Sequence, residues 1–354
     1  MAYTNIDDPS AYFQVATYTG NGSTQSITND GNSDMQPDWV WIKSRSNASW
    51  HSLQDSSRGA TKTLFTNTTN AEITYTDAQT SFDSDGFSLG ADASGGSVNV
   101  SSRTYVAWQW KANGGTTVSN TDGSITSTVQ ANQDAGFSIV TWAGTASTAT
   151  IGHGLGVAPK FMIVRARDKG VPTSWIVFHK DGSTSDDDYF ILQGTFAKGT
   201  QAGLWNNQYP SSTVFGVAND FWVNSASTNY IAYCFAEKQG YSKFGKYVGN
   251  GSTNGPFVYT GFKPAFLMVK RVDSISSWQI KDSARNPNNL ADKTVFANLG
   301  NAEYSTFYFY DLLSNGFKVR GTDGELNASG GSYIYMAFAE SPFTTSTGVP
   351  TTAR

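Results

Sequence analysis

Apolar residues along this chain fall into short runs separated by Gly, Asn, Ser, Thr and Pro turns, and one run recurs three times. It reads Tyr105-Val-Ala-Trp-Gln-Trp-Lys-Ala112, Tyr230-Ile-Ala-Tyr-Cys-Phe-Ala-Glu237 and Tyr333-Ile-Tyr-Met-Ala-Phe-Ala-Glu340. Each copy opens with Tyr and a β-branched residue, then continues through aromatic and small side chains. An apolar stretch of this length and type predicts a strand buried on both faces. Three copies predict three related folding units.

The segments ahead of each copy match in outline. In the first, 13–112, Phe13-Gln-Val-Ala-Thr-Tyr18 alternates as a strand. Gln36-Pro-Asp-Trp-Val-Trp-Ile-Lys43 is a strand entered at Pro37, and Trp50-His-Ser-Leu-Gln-Asp55 alternates again. In the second, 136–238, Phe137-Ser-Ile-Val-Thr-Trp142, Pro159-Lys-Phe-Met-Ile-Val-Arg165 and Trp175-Ile-Val-Phe-His-Lys-Asp181 take those places. In the third, 239–343, Lys263-Pro-Ala-Phe-Leu-Met-Val-Lys-Arg271 and Trp278-Gln-Ile-Lys-Asp282 follow, and the turn Gly20-Asn-Gly-Ser-Thr24 returns as Gly249-Asn-Gly-Ser-Thr253. This alignment makes Asp55, Asp181 and Asp282 equivalents that close turns. Residues 1–12 read as a polar leader, 113–135 as a Gly/Ser/Thr-rich linker and 344–354 as an extended tail. The expected fold is all-β: three tandem β-sandwich domains, jelly-roll-like or alternatively Ig-like, with roughly seven or eight strands each and very little helix.

Composition agrees with this pattern. Charged residues are 15% of the chain, against about 25% in ordinary soluble domains, and Gly, Ser, Thr and Asn fill the turns. The net charge of −4 comes without any basic stripe, which argues against a nucleic-acid partner. Cys234 is the one cysteine and sits inside an apolar run, so it reads as a small core residue. The N-terminus lacks the features of a signal peptide, and no apolar segment is long enough to span a bilayer. Synthesis in the cytoplasm without membrane insertion is therefore expected. The sequons at Asn21, Asn47, Asn67, Asn99, Asn250 and Asn327 read as products of composition.

Candidate chemistry is sparse. His51 and His179 lie near Asp55 and Asp181, half of a nucleophilic relay, but no nucleophile elbow accompanies them. No Cys/His metal spacing occurs. Asp186-Asp187-Asp188 offers hard oxygens to Ca²⁺, although Asp in a loop is favoured simply for satisfying turn amides. The chain is expected to be no enzyme and to hold no cofactor or metal. The strand tryptophans read as core, with one of the pairs Trp39/Trp41 and Trp108/Trp110 available to pack between domains or subunits. Trp205, Asn206, Asn207 and Tyr209 form a polar loop around an indole. An exposed indole beside amide groups serves sugar binding or a protein interface, with ordinary loop packing as the third reading, and these four are the candidate ligand-binding residues.

Several motifs together resemble a known family. They are Met1-Ala-Tyr-Thr-Asn-Ile-Asp-Asp-Pro-Ser-Ala-Tyr-Phe13, Tyr18-Thr-Gly-Asn-Gly-Ser-Thr-Gln-Ser-Ile27, the Gln36–Lys43 run, Asp55-Ser-Ser-Arg-Gly-Ala60, Phe82-Asp-Ser-Asp-Gly-Phe-Ser-Leu-Gly90 and Gly152-His-Gly-Leu-Gly-Val-Ala-Pro159. Over nearly the whole chain these resemble repeat-containing virion structural proteins of tailed bacteriophages of the marine and cyanobacterial type. The resemblance implies a tail fibre, appendage or capsid-decoration component on the exterior of the virion. Other virion proteins of capsid or tail, further copies of the chain and host surface glycan would be its partners. It transfers no catalytic motif. The rival expectations are a carbohydrate- or receptor-binding adsorption module and, less favoured, a polysaccharide-degrading tailspike.

Overall fold

The computed structural model describes residues 3–169, 173–306 and 308–351. Met1 and Ala2 of the leader and 352–354 of the tail lie outside the described residues. In the first segment the chain forms β1 (Phe13–Thr19), β2 (Gln25–Ile27), β3 (Trp39–Ser44), β4 (Ser52–Asp55), β5 (Lys62–Phe65), β6 (Ile73–Thr74), β7 (Gln79–Phe82), β8 (Phe87–Leu89) and β9 (Thr104–Trp110). The second forms β10 (Val118–Asn120), β11 (Ser127–Asn132), β12 (Phe137–Ala143), β13 (Ala149–Gly152), β14 (Phe161–Ala166), β15 (Ile176–His179), β16 (Asp188–Ile191), β17 (Gly199–Thr200), β18 (Val214–Val217) and β19 (Asn229–Phe235). The third forms β20 (Ser242–Val248), β21 (Phe257–Tyr259), β22 (Phe262–Arg271), β23 (Gln279–Asp282), β24 (Val295–Phe296), β25 (Tyr310–Leu313), β26 (Gly316–Val319), the four-residue helix α1 (Gly324–Asn327) and β27 (Ser332–Pro342).

The large sheets run β1-β9-β3-β4-β5-β6, β10-β11-β12-β19-β14-β15-β16-β17 and β20-β27-β22-β23-β24. The small sheets run β2-β8-β7, β13-β18 and β21-β26-β25. Flanking strands aside, one antiparallel order appears three times: first strand, last strand, then three more. The thrice-repeated apolar run is the last strand of each segment, held between two neighbours. In the first two copies its two buried faces belong to different clusters. Val106, Trp108 and Trp110 of β9 face one cluster, while Tyr105 and Ala107 face another with Phe87 and Leu89 of the small sheet. Ile231, Tyr233 and Phe235 of β19 divide in the same way from Tyr230, Ala232 and Cys234.

The face turned away from the small sheets belongs to an interior that all three segments share. Register makes the rows Phe13/Trp110/Trp39 and Phe137/Phe235/Phe161 equivalent, with Phe338/Phe266 their counterpart in the third segment. These rings meet across segments. Trp39 stacks on Tyr233 at 4.8 Å, Phe13 on Phe338 at 5.3 Å, and Phe235 meets Phe338 at 5.8 Å. Both tryptophan pairs therefore pack between segments. Each buried aromatic removes roughly 150–250 Å² from water, so four indoles contribute up to roughly 15–25 kcal/mol at about 25 cal/mol/Å².

The sequence alignment needs two corrections. Trp50 is 46% exposed and precedes β4. The ladders place Ser52 opposite Ile42, Ile176 opposite Val164 and Gln279 opposite Val269, so His51 is the counterpart of Trp175 and Trp278. The ladders also pair Trp39 with Asp55, Phe161 with His179 and Phe266 with Asp282. The counterpart of Asp55 and Asp282 is thus His179, not Asp181. In each case the apparent match follows a side-chain type, and a small shift in register moves the side chain to another place.

The tract read as a linker contributes β10 and β11 to the second large sheet. It is fastened at its start by the Asp38 carboxylate, which accepts the amides of Ala112, Gly114 and Gly115 at 2.7–2.9 Å. The leader joins the third segment: Tyr3 donates to Gly261 O and Thr4 to Gln239 O, both at 2.8 Å, and Ile6 enters the shared interior. The tail turns back instead of extending, with Thr344 bridging Pro350 and the Ser346 amide donating to Asp7 Oδ1 at 2.6 Å.

The Gly-Asn-Gly turn has a packing cause. A Cβ on Gly20, Gly144 or Gly249 would stand 2.4, 2.1 or 2.3 Å from the carbonyl oxygen of Val100, Ser225 or Ala328. Beside that close approach a buried asparagine repeats. Asn99, Asn224 and Asn327 accept the amides of Asn21, Thr145 and Asn250 at 2.8–3.0 Å and donate to the carbonyls of Ser23, Ser147 and Ser252 at 2.6–2.7 Å. The hydroxyls of Tyr105, Tyr230 and Tyr333 then accept the next amides at 2.7–3.0 Å. Asn99 and Asn327, read from the sequence as sequon by-products, are fully buried parts of this lock.

Candidate functional site

Clusters of buried ionisable side chains lie at the three contacts between segments. The contacts run in one cyclic sense: second onto first, first onto third, third onto second. At the first, Trp175 Nε1 donates to Phe65 O at 2.9 Å, and at the third, Trp278 Nε1 donates to Ile191 O at 2.9 Å. At the second, His51 takes the same role. Its Nδ1 accepts from Trp41 Nε1 at 3.0 Å, which leaves Nε2 protonated to donate to Leu299 O at 3.1 Å.

One cation per contact is buried at the end of the β3, β14 or β22 apolar run. Arg165 donates to Thr69 O and Asn70 O at 2.6 and 2.9 Å, Lys43 to Gly300 O at 3.2 Å and Lys270 to Thr195 O at 3.2 Å. All three are fully buried and bind carbonyls across the contact. Burial lowers their proton affinity: Lys43 is pushed down to about 7, with Arg285 adding repulsion, Lys270 to about 8 and Arg165 to about 10.

Two contacts add a charge network. At the second-to-first contact, Asp55 accepts from Arg58 Nε at 2.5 Å and from the Tyr233 hydroxyl at 2.7 Å, while Glu72 binds Arg58 and Arg167 at 3.1 Å. At the first-to-third contact, Asp282 accepts from Arg285 Nε at 2.6 Å and Trp108 Nε1 at 2.9 Å, while Glu303 binds Arg285 and Arg45 at 3.0 Å. Burial acts to raise the Glu72 and Glu303 carboxyls, but the paired arginines outweigh it and hold both below the usual range. Among the described residues the third contact lacks this network. His179 and Gly182 stand where Asp55 and Arg58 do. Lys198 donates its amide to Val272 O at 2.8 Å, as Glu72 does to Arg167 O and Glu303 to Arg45 O. His179 accepts Gly182 N at Nδ1 and donates from Nε2 to Tyr335 O, both at 3.1 Å. Burial pushes it down to about 4, so it is neutral in the fold at neutral pH.

The remaining sequence candidates have structural partners. Trp205 is not the exposed platform expected of it. It is 1% exposed, donates from Nε1 to Asp188 O at 3.1 Å and meets Phe178 edge-on at 6.0 Å. Asn207 and Tyr209 lie at the surface and Asn206 is half-buried. Lys180 Nζ sits 2.9 Å from the centre of the Tyr209 ring. The loop turns inward because the acidic triplet holds it. Asp187 accepts Gly203 N at 2.8 Å, and Asp188 accepts from Thr184 N, Ser185 N and Lys198 Nζ at 2.7–3.0 Å. Among the described residues no group of three His, Cys, Asp or Glu side chains is placed to hold a metal ion. His153 accepts Leu155 N and donates to Ser211 O, and neither His51 nor His179 directs a ring nitrogen at an aspartate. Cys234 is buried and its thiol is pushed well up by burial.

These contacts give the interior charges partners, although Arg165 Nε stays unpaired, and they fix how the segments meet, which is a structural role. The sequence reading missed the recurring cation. Its signal was visible as Trp-Val-Trp-Ile-Lys43, Phe-Met-Ile-Val-Arg165 and Phe-Leu-Met-Val-Lys270. Fold and contacts define an all-β protein of three repeated two-sheet segments closed around one interior. The chain belongs to the family of the domain of unknown function DUF7483, whose family model matches residues 8–342. No curated protein and no solved structure matches it. Among the described residues no helix is long and apolar enough to cross a membrane.

Proposed function

We propose that this chain is a non-enzymatic structural protein on the outside of a phage virion, as a tail fibre, appendage or capsid decoration, associating with other virion proteins and with further copies of itself. In this reading the segments are tandem β-sandwich domains of jelly-roll type. The observation that supports it best is the shared aromatic interior with its buried charges spent on contacts between segments. Such a body is stiff without disulfides and leaves its turns free to vary. The resemblance of its motifs to virion proteins points the same way. Labelled antibody against the chain, imaged on purified particles by electron microscopy, tests the proposal. Label on the head or on the tail is expected, and the position separates decoration from fibre. Intact particles that bear no label, while the chain is abundant in infected cells, would overturn it.

A further inference from the structure

The first strands of the three large sheets are equivalent, yet their outer edges differ. The outer edge of β12 is covered by β11, with Asn132 opposite Phe137, Gln130 opposite Ile139 and Thr128 opposite Thr141. Register puts Phe13, Val15 and Thr17 of β1 at the places of Phe137, Ile139 and Thr141. The ladder bonds to β9 fall on the alternate residues, since Lys111 N donates to Tyr12 O and Gly20 N to Arg103 O. The backbone groups of Phe13, Val15 and Thr17 therefore point away from the sheet. β1 ends its sheet on this side, as β20 ends the third.

Natural proteins protect long edges with charge, proline, bulges or a cover. β20 carries Lys243 and Lys246. β1 is seven residues long, Phe13-Gln-Val-Ala-Thr-Tyr-Thr19, with no charge, no proline and an unbroken register. Beside it runs a groove of about 470 Å³, lined among others by Thr28, Asp30 and Gly31 of the first segment and by Ser283, Ala284 and Pro287 of the third. The position of this groove has a precedent in the same molecule. Gln130 of β11 donates from Nε2 to Ser56 Oγ and Ser57 Oγ, both at 2.9 Å. Ser283 and Ala284 follow Asp282 as Ser56 and Ser57 follow its counterpart Asp55. The groove at the first-to-third contact is thus the place that β11 fills at the second-to-first contact.

We infer that this groove accepts an extended strand from another polypeptide chain, added antiparallel to β1. The guest is uncharged, of the Ser/Thr/Val/Gln type of β11. An amide side chain opposite Val15 reaches Ser283, and small apolar side chains on the alternate face meet Ile27. An acidic guest is disfavoured because Lys263 and Glu340 at the groove are already paired with each other, which leaves the Asp30 carboxylate as the remaining charge there. Backbone bonds to the edge provide affinity and the alternating side chains provide selectivity.

The test is amide hydrogen exchange on the whole chain, with a synthetic peptide of the sequence of residues 126–133 as the probe. In the free protein the Val15 and Thr17 amides are expected to exchange at least about tenfold faster than those of Ile139 and Thr141, which β11 holds. Millimolar peptide is expected to slow Val15 and Thr17 by about tenfold or more. Thr17→Pro removes an outward amide and no ladder bond, so it is expected to abolish peptide protection at Val15 while leaving the β12 amides protected. Three results would overturn the inference: no slowing with peptide, slow exchange at Val15 and Thr17 in dilute free protein, or slowing that depends only on protein concentration. The last would make a second copy the occupant.

Discussion

Asp55→Ala should be the most informative single change at a segment contact. Asp55 and Arg58 are closed to solvent, and the substitution removes the 2.5 Å ion pair, the bond from Arg58 N at 2.9 Å and the bond from Tyr233 at 2.7 Å. Arg58 keeps Glu72 at 3.1 Å and two carbonyls, so its guanidinium is left only partly compensated. Breaking a buried pair from one side costs about 3–5 kcal/mol, and the orphaned Tyr233 hydroxyl places this case toward the upper end. The third contact supplies a built-in comparison, with His179, Gly182 and Met336 in the corresponding places. Transplanting that solution as Asp55→His with Arg58→Gly and Tyr233→Met removes the charges together and should cost less than Asp55→Ala alone. Urea unfolding followed by tryptophan fluorescence and far-UV circular dichroism measures both variants, with coincident transitions required before free energies are compared. A loss below about 1 kcal/mol for Asp55→Ala, or a triple variant worse than the single one, would refute the reasoning.

Acidification should destabilise the fold. His179 has its pKa depressed from 6.5 to about 4, so the unfolded chain binds the extra proton between those values. Its contribution is complete above pH 6.5 and lost as pH falls through about 4, amounting to roughly 3 kcal/mol, and His179→Leu should flatten that part of a stability–pH curve. Gly249→Ala sets a methyl against Ala328 O and should cost about 1–3 kcal/mol, read as a lowered midpoint in urea. Trp205→Ala should destabilise by about 3–5 kcal/mol, as for a core aromatic. A variant with unchanged stability would return Trp205 to the surface.

The strand framework was legible because its signal is local. Apolar runs of β-branched and aromatic residues bounded by Gly and Pro define β3, β14, β22 and the thrice-repeated last strand without reference to the rest of the chain. Strand number was less legible: among the described residues the bounds read from the sequence enclose nine, eight and eight strands, the tract between the first two adds β10 and β11, and two-residue pairings such as β6, β17 and β24 carry no pattern of their own. Equivalence between segments was harder still. Matching Trp50 to Trp175, and Asp181 to Asp55, follows residue type where the ladders follow register. The burial of Trp205 was hidden because polar neighbours look the same whether they face water or return bonds to Asp187 and Asp188. The charge networks pair residues such as Arg45 and Glu303 that lie in different segments, and nothing in a linear pattern joins them.

Differential scanning calorimetry of the intact chain tests most directly whether the three segments share one interior. The account predicts a single transition whose calorimetric and van't Hoff enthalpies agree, because separating any segment exposes the ring cluster built on Trp39, Trp110, Phe235 and Phe338. Two or three resolved transitions, each with its own matching enthalpies, would contradict it and show the segments to be independent bodies.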